Sequence, residues 1–259
     1  MKKFFTISLI LFFTIITTQA TFAGTTKPKK TYTEREYTVK TSDGHLLHAY
    51  LSYPKTKLKG YPTIVMLHSL GYNSRYWIPL QVKFNNLGYA VIRVDLRGHG
   101  KSVYDKNFHQ RSWRSFKNET FMKYPQDIVE TINFIKAETK KVNFYNWAII
   151  GSDIGANTAI LVAKSMPVKP KALVLMGPSM TFKGLYVPVA MTEIGNAPIL
   201  AIASKTDTYS MQEQTKLSKF AQGTFEICNT KTGSSGMLLL SQQPAIQNSI
   251  INWLTAKIK

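Results

Sequence analysis

Cysteine is almost missing from this chain: Cys228 is the only one in 259 residues. No internal disulfide can form, so the fold must be held by its core rather than by staples. Acidic side chains are also scarce, 14 against 33 lysines and arginines, for a formal net charge of +19. Histidine is scarce in a more telling way. The five are His45, His48, His68, His99 and His109, and none lies after residue 109. Chemistry in the second half of the chain therefore has no local imidazole, the side chain that titrates near neutrality. No internal repeat and no low-complexity tract is present, which excludes solenoids and disordered arrays. The basic residues carry no interleaved aromatic motif of the nucleic-acid-binding kind.

What is present begins with a leader. Lys2 and Lys3 precede an apolar stretch from Phe4 to Ile16, followed by small and polar residues ending in TQATFAG. That order predicts a secretory signal peptide over residues 1–23, cleaved after Ala23 in preference to Ala20, with an uncleaved anchor as the alternative, and an exported protein, periplasmic or secreted. The apolar run falls short of the roughly 20 residues of a membrane span. Residues 24–31 read as a polar linker, and 32–259 as one α/β domain with enough chain to bury a full core. The lysines are spread along the sequence with no run longer than that in TTKPKKTY. A dispersed charge of this size attracts anionic partners, an envelope component among them, without naming one.

Alternation around Ser42-Asp43-Gly44 predicts two strands joined by a turn. PTIVML (62–67) and YAVIRVDL (89–96) are continuous apolar runs of the kind buried on both faces of a parallel sheet. A helix is predicted from about 76 to 87, ending before Gly88, and another from Pro125, where Ile128, Ile132 and Ile135 share one face. KALVLMG, APILAIAS and TFEICN follow as strands, with a helix over 211–220 and a closing helix over 244–258. Cys228, in the last strand, reads as a buried, inert thiol. Strands alternating with helices argue a mostly parallel, doubly wound sheet. The irregular stretch 103–124 is placed to cover a site.

The most informative segment is NWAIIGSDIGANTAILVAK (146–164). An apolar strand ends on Gly151, and Ile154, Ala156, Ala159, Ile160 and Ala163 then recur at helical spacing. Glycines at 151 and 155 frame a strand–turn–helix elbow in which backbone approaches backbone too closely for a Cβ. The residue held up by such an elbow is the nucleophile, usually Ser, and here it is Asp153. With HSLGYNSRYW after the third strand, DLRGHGKS after the fourth and ASKTDTYS after a later one, the chain resembles the α/β-hydrolase superfamily. Within it, the likeness is to compact serine esterases and dienelactone hydrolases, and it runs from about Tyr37 to the C-terminus.

That resemblance implies an α/β-hydrolase fold with no large cap domain and no cofactor. It puts the oxyanion-hole N–H groups on Leu70 and Ile154, the triad acid at Asp207, and Ser235 where the triad histidine belongs. Haloalkane dehalogenases and epoxide hydrolases of the superfamily do use an elbow Asp, but they need His to hydrolyse the resulting ester. His68 and His99 read as structural turn residues, and His109 as a side chain able to reach the site from the covering loop. Ser152 is expected to point away from the oxyanion loop. Asp153 and Asp207 alone make at best a weak site for a hard cation, so no metal is expected. Two altered triad positions favour a protein that no longer hydrolyses esters and that binds an acyl or aromatic ligand, an envelope component or a partner. An active hydrolase with a rearranged site, or a structural role for the basic surface, stays open.

Overall fold

The turn at Ser42-Asp43-Gly44 closes an antiparallel pair, β1 (Tyr32–Lys40) and β2 (His45–Pro54), in the computed structural model of the chain. The structure describes residues 30–234 and 236–259. The expected leader, nearly all of the linker and Ser235 lie outside the described residues. The apolar runs become β3 (Tyr61–Leu67) and β4 (Ala90–Asp95), and a short β5 (Tyr104–Asp105) pairs with β2. Next comes β6 (Val142–Ser152), longer than its apolar run at both ends, and β7 (Ala172–Met176). A small hairpin of β8 (Thr181–Phe182) and β9 (Leu185–Tyr186) precedes β10 (Ile199–Ser204) and β11 (Phe225–Thr230).

The main sheet runs β1-β2-β4-β3-β6-β7-β10-β11. β2 is antiparallel to both neighbours on that path, β1 and β4, and every pair from β4 onward is parallel. The helices are α1 (Ile78–Asn86), α2 (Asn118–Phe121), α3 (Tyr124–Glu138), α4 (Ile154–Ser165), α5 (Pro188–Glu193), α6 (Thr208–Ser218), α7 (Gly236–Gln242) and α8 (Pro244–Thr255). Strand residues alternate between two cores, as the period of two requires. Ile149 faces one core with Ile128 and Ile132 of α3 and Ile160 of α4. Ala148 and Ile150 face the other with Phe84 of α1, Leu239 of α7 and Ile250 of α8. The sheet is thus mostly parallel with helices on both faces, the doubly wound arrangement expected.

Three local differences have physical causes. α6 starts at Thr208, three residues before the apolar pattern suggested, because Asp207 caps it by accepting from the Ser210 N–H at 3.0 Å. α7 has no periodic sequence signal; it forms where Met237, Leu239 and Leu240 bury against the sheet. The closing helix stops at Thr255, although Ile258 beyond it is still buried. Cys228 lies half-buried in β11, its thiol pKa pushed up by burial.

Candidate functional site at the strand-to-helix elbow

The elbow between β6 and α4 is held by its glycines. A Cβ on Gly151 would collide with the Gly155 carbonyl, and one on Gly155 with the carbonyls of Leu67 and His68. These are backbone obstacles that cannot swing aside, so both positions require glycine. Between them Asp153 sits at φ 55°, ψ −118°, a conformation that strains any residue with a Cβ. Its N–H donates to the Met176 carbonyl at 2.8 Å, and its own carbonyl accepts from Ala156 N–H at 2.8 Å, fixing the turn from both sides.

This geometry aims the Asp153 carboxyl at the loop after β3. The Leu70 N–H donates to Asp153 Oδ2 at 3.3 Å, and the neighbouring Ile154 N–H also favours the charged carboxylate. One of the two expected oxyanion donors, Leu70 N–H, is therefore engaged by the side chain at the expected nucleophile position. Burial pushes the Asp153 carboxyl up to about 6, the charge of Asp207 adds to the rise, and the two N–H groups oppose it.

Asp207 stands at the C-terminal end of β10, with Oδ1 accepting from Ser210 N–H and Oδ2 from Ser210 Oγ at 2.6 Å. It caps α6 with both oxygens and still lines the same cavity as Asp153. That cavity has a volume of about 200 Å³, and Ser179, Phe182, Tyr209 and Gly236 complete its wall. Ser235 lies outside the described residues; its neighbour Gly236 reaches the cavity.

None of the five histidines meets either carboxylate. His68 donates from Nδ1 to the Ser69 carbonyl at 2.8 Å, and its Nε2 accepts from Leu96 N–H at 2.9 Å. His99 donates from Nδ1 to the Arg97 carbonyl, and its Nε2 accepts from Gly71 N–H at 3.0 Å. Its ring stacks on Trp113, centroids 5.4 Å apart. Burial pulls His68 down to about 4 and His99 down to about 3, so both are neutral pins of turn structure. His45 bonds the Ser102 carbonyl, and His48 pairs with Glu36. His109 is 65% exposed and lies 3.3 Å from Asp105, which lines a separate cavity.

Ser152 departs from expectation. It is the last residue of β6, and its Oγ lies 2.8 Å from Ser69 Oγ in the oxyanion loop, rather than pointing away. The Met237 N–H donates to Ser69 Oγ at 3.3 Å, so the start of α7 closes over this hydroxyl pair. Both hydroxyls are buried, and among the described residues no basic side chain bonds them.

The covering segment 103–124 also works differently from its sequence reading. Trp113 lies against His99 and Gly71, beside the oxyanion loop. The wall of the Asp153 cavity is instead made by Ser179 and Phe182, after β7, and by Tyr209 on α6. Asn157 on α4 holds that first segment, donating to the Ser179 and Leu185 carbonyls and accepting from Ser179 N–H. The usable sequence signal was the position of GPSM just after a buried parallel strand, where sheets of this kind bind ligands.

Beneath the site, Arg97 ties three elements together. It donates through Nε to Asp127 Oδ2 on α3 at 2.8 Å and through Nη1 to Asp43 Oδ2 in the β1–β2 turn at 2.9 Å. Among the described residues no three His, Cys, Asp or Glu side chains converge as a metal-binding group. No described helix is long and apolar enough to cross a membrane.

Sheet order, glycine-framed elbow and facing N–H donors together define an α/β-hydrolase. Residues 61–222 match the family described as serine aminopeptidase, S33, and the chain belongs to that family. Its elbow carries Asp153 where the family's name promises serine. No curated protein sequence matches the chain. Among solved structures it is similar to the acetyl xylan esterase from Paenibacillus sp. R4, with a TM-score of 0.73 at 15% identity over 90% of this chain and 86% of that one. The dienelactone hydrolase from Anabaena variabilis gives 0.66 at 17% identity, covering 87% and 99%. Est1E from Butyrivibrio proteoclasticus, solved with ferulic acid bound, gives 0.66 at 17% identity, covering 85% and 99%. At these identities the likeness is one of fold.

Proposed function

We propose that this protein is an exported member of its hydrolase family that no longer hydrolyses esters and uses the elbow cavity for binding. One observation carries the reading: the Asp153 carboxylate accepts from the Leu70 N–H of the expected oxyanion hole, and no histidine stands at Asp207. Acyl transfer needs a nucleophile, a base to take its proton, and free N–H groups for the developing oxyanion. A carboxylate already bonded to one of those N–H groups competes with the substrate oxygen for it. Among the described residues no imidazole lines the cavity, and the one group there shifted toward neutrality, Asp153, stands at the elbow and not beside Asp207 as a base. Export rests on the Lys2-Lys3, apolar and TQATFAG order of the leader, and is tested by reading Gly24 as the N-terminus of the mature protein.

Two carboxyl groups facing about 200 Å³ favour a ligand that donates hydrogen bonds or carries positive charge. An acyl anion meets repulsion there. The deciding assay is hydrolysis of p-nitrophenyl acetate and butyrate. The protein is expected to give no turnover above background, and Asp153→Ser with Ser235→His to restore a measurable rate. Esterase-like turnover by the unmodified protein overturns the proposal.

A second reading has one observation in its favour: Asp153 lines an open cavity, so its carboxylate can meet an alkylating ligand. The carboxylate oxygen attacks the ligand's carbon, expelling halide or opening the epoxide C–O bond to an alkoxide that takes a proton from water. That leaves an ester that no described histidine helps to hydrolyse. Intact mass after exposure to alkyl halides and epoxides separates the two readings. A stable adduct on the Asp153 peptide supports the second, and an unmodified mass removes it.

A further inference from the structure

The lysines that look dispersed along the sequence are gathered by the sheet. β3, β6 and β7 run parallel, so the segments entering them meet at the edge opposite the elbow. Those segments, 55–60, 139–141 and 167–171, hold seven lysines and no carboxylate. Their backbones are bonded together. Gly60 N–H donates to the Lys140 carbonyl at 2.8 Å, Tyr61 N–H to the Lys141 carbonyl at 3.0 Å, and Lys171 N–H to the Trp147 carbonyl at 2.8 Å. Lys141 turns its ammonium inward, onto the Leu58 carbonyl, and Lys169 bonds the Lys164 carbonyl. Lys55, Lys57, Lys59, Lys140 and Lys171 are exposed and form no ion pair among the described residues, whereas nearby Lys164 is paired with Glu193.

Two further features lie on this edge. Leu58 and Tyr145 are 56% and 79% exposed beside the lysines. Between the segments opens a cavity of about 450 Å³, its apolar wall made by Val142, Phe144, Met166 and Pro167, with Lys136 and Lys140 at its border. Every cation in the three segments is lysine, a point charge without the planar fork that grips one phosphate. Such a set suits a diffuse negative surface. Exposed Leu and Tyr among lysines, over an apolar cavity, suit a surface whose charge lies above hydrocarbon. A soluble polyanion offers those apolar groups nothing.

We propose that this edge docks on an anionic phospholipid bilayer, headgroups meeting the five free lysines and Leu58, Tyr145 and the cavity taking up apolar contact. The elbow lies at the opposite ends of the same strands, so docking leaves the Asp153 cavity facing away from the lipid. The proposal stands whether or not that cavity is catalytic.

The test is flotation of the protein as a secreting host delivers it, its N-terminus read by mass spectrometry. The probes are vesicles of phosphatidylcholine alone and of phosphatidylcholine with phosphatidylglycerol. Binding is expected only with phosphatidylglycerol, and to weaken as salt rises. With each surface lysine worth about fivefold, Lys57→Glu, Lys140→Glu and Lys171→Glu together lower partitioning by about 100-fold. The same charge change at Lys106, Lys117 and Lys183, which are exposed on segments leaving the other ends of the strands, is expected to leave it within about threefold. Leu58→Ser with Tyr145→Ser is expected to weaken vesicle binding by about tenfold and leave heparin binding unchanged. Equal losses in both lysine triples would make net charge the whole effect and overturn the proposal. So would heparin binding without vesicle binding, which assigns the edge to a soluble polyanion. Circular dichroism of each variant confirms that it is folded.

Discussion

Replacing Asp153 by Asn should stabilise the protein at neutral pH and do nothing in acid. The Asp153 carboxyl is raised from an ordinary value of 3.8 to about 6, chiefly by burial. The folded state therefore resists ionising it, whereas the unfolded chain ionises it freely above pH 4. Below pH 4 both states are protonated, and no penalty exists. Between pH 4 and 6 stability is lost, and above pH 6 the loss is complete. Two pH units correspond to about 3 kcal/mol. Asn is nearly isosteric, keeps an oxygen for the Leu70 N–H and carries no charge at any pH. In a domain of this size about 3 kcal/mol is worth roughly 6–12 °C in melting temperature. Thermal melts of both proteins at pH 4, 5, 6 and 7 should give curves that coincide in acid and diverge by that amount at pH 7. Titrating groups that do not sense the Asp153 charge cancel in the difference; Asp207, which does, adds to it in the same direction. Parallel curves across the range would refute the idea that this carboxylate is buried without adequate compensation. Asp153→Gly adds a second reading of the same residue. It relieves the φ 55° strain as well, so it should exceed Asp153→Asn by about 1–3 kcal/mol at every pH.

Four more outcomes test the surrounding frame. Gly155→Ala sets a Cβ against the carbonyls of Leu67 and His68, and should cost more than about 3 kcal/mol or abolish soluble expression. Gly88→Ala, where no atom lies within 4 Å, should cost only the left-handed strain of about 1–2 kcal/mol by urea denaturation. Arg97→Met strands the buried Asp127 carboxylate and should lose about 3–5 kcal/mol, much of it recovered by adding Asp127→Leu. In NMR the ring signals of His68 and His99 should not titrate between pH 8 and 5, because burial holds them at about 4 and about 3. Their stabilising effect as neutral rings is full above pH 6.5 and is lost as the pH falls to about 4 for His68 and about 3 for His99.

The frame of the site was legible because it is local. Gly151, Asp153 and Gly155 lie within five residues, and the strand before them announces itself by an unbroken apolar run. Leu70 and Asp207 entered through the family resemblance, which places such residues just after buried strands, and the structure sets both beside Asp153. The walls of the cavity were not legible, since Phe182 and Tyr209 come from a loop and a helix start with no periodicity of their own. Ser152 was misread for a definite reason. Turn logic was applied to it, but β6 extends through Ser152, so strand alternation sets its direction and brings it onto Ser69. The lysine edge was invisible for the opposite reason. Segments 55–60, 139–141 and 167–171 are remote in sequence and become neighbours only when parallel strands align their entries.

Two costs meet at Asp153, and they bear on whether the elbow is merely left over. The glycines at 151 and 155 are required by packing whatever the site does, so their presence says nothing about use. Asp153 is different. Its backbone strain and its buried carboxyl each destabilise the fold, and Asn or Gly at the same position would relieve one or both. Among the described residues no cation pairs with it, and the hydrogen bond it accepts is that from Leu70 N–H. Strain and an underpaired carboxylate on the wall of a cavity are the local signs of a site that waits for a ligand able to donate to it. A ligand that does so should lower the Asp153 pKa, release a share of the penalty above pH 6, and therefore bind more tightly at pH 7 than at pH 5. Affinity that rises in acid would instead mean that the neutral carboxyl is the binding form, acting as donor rather than acceptor.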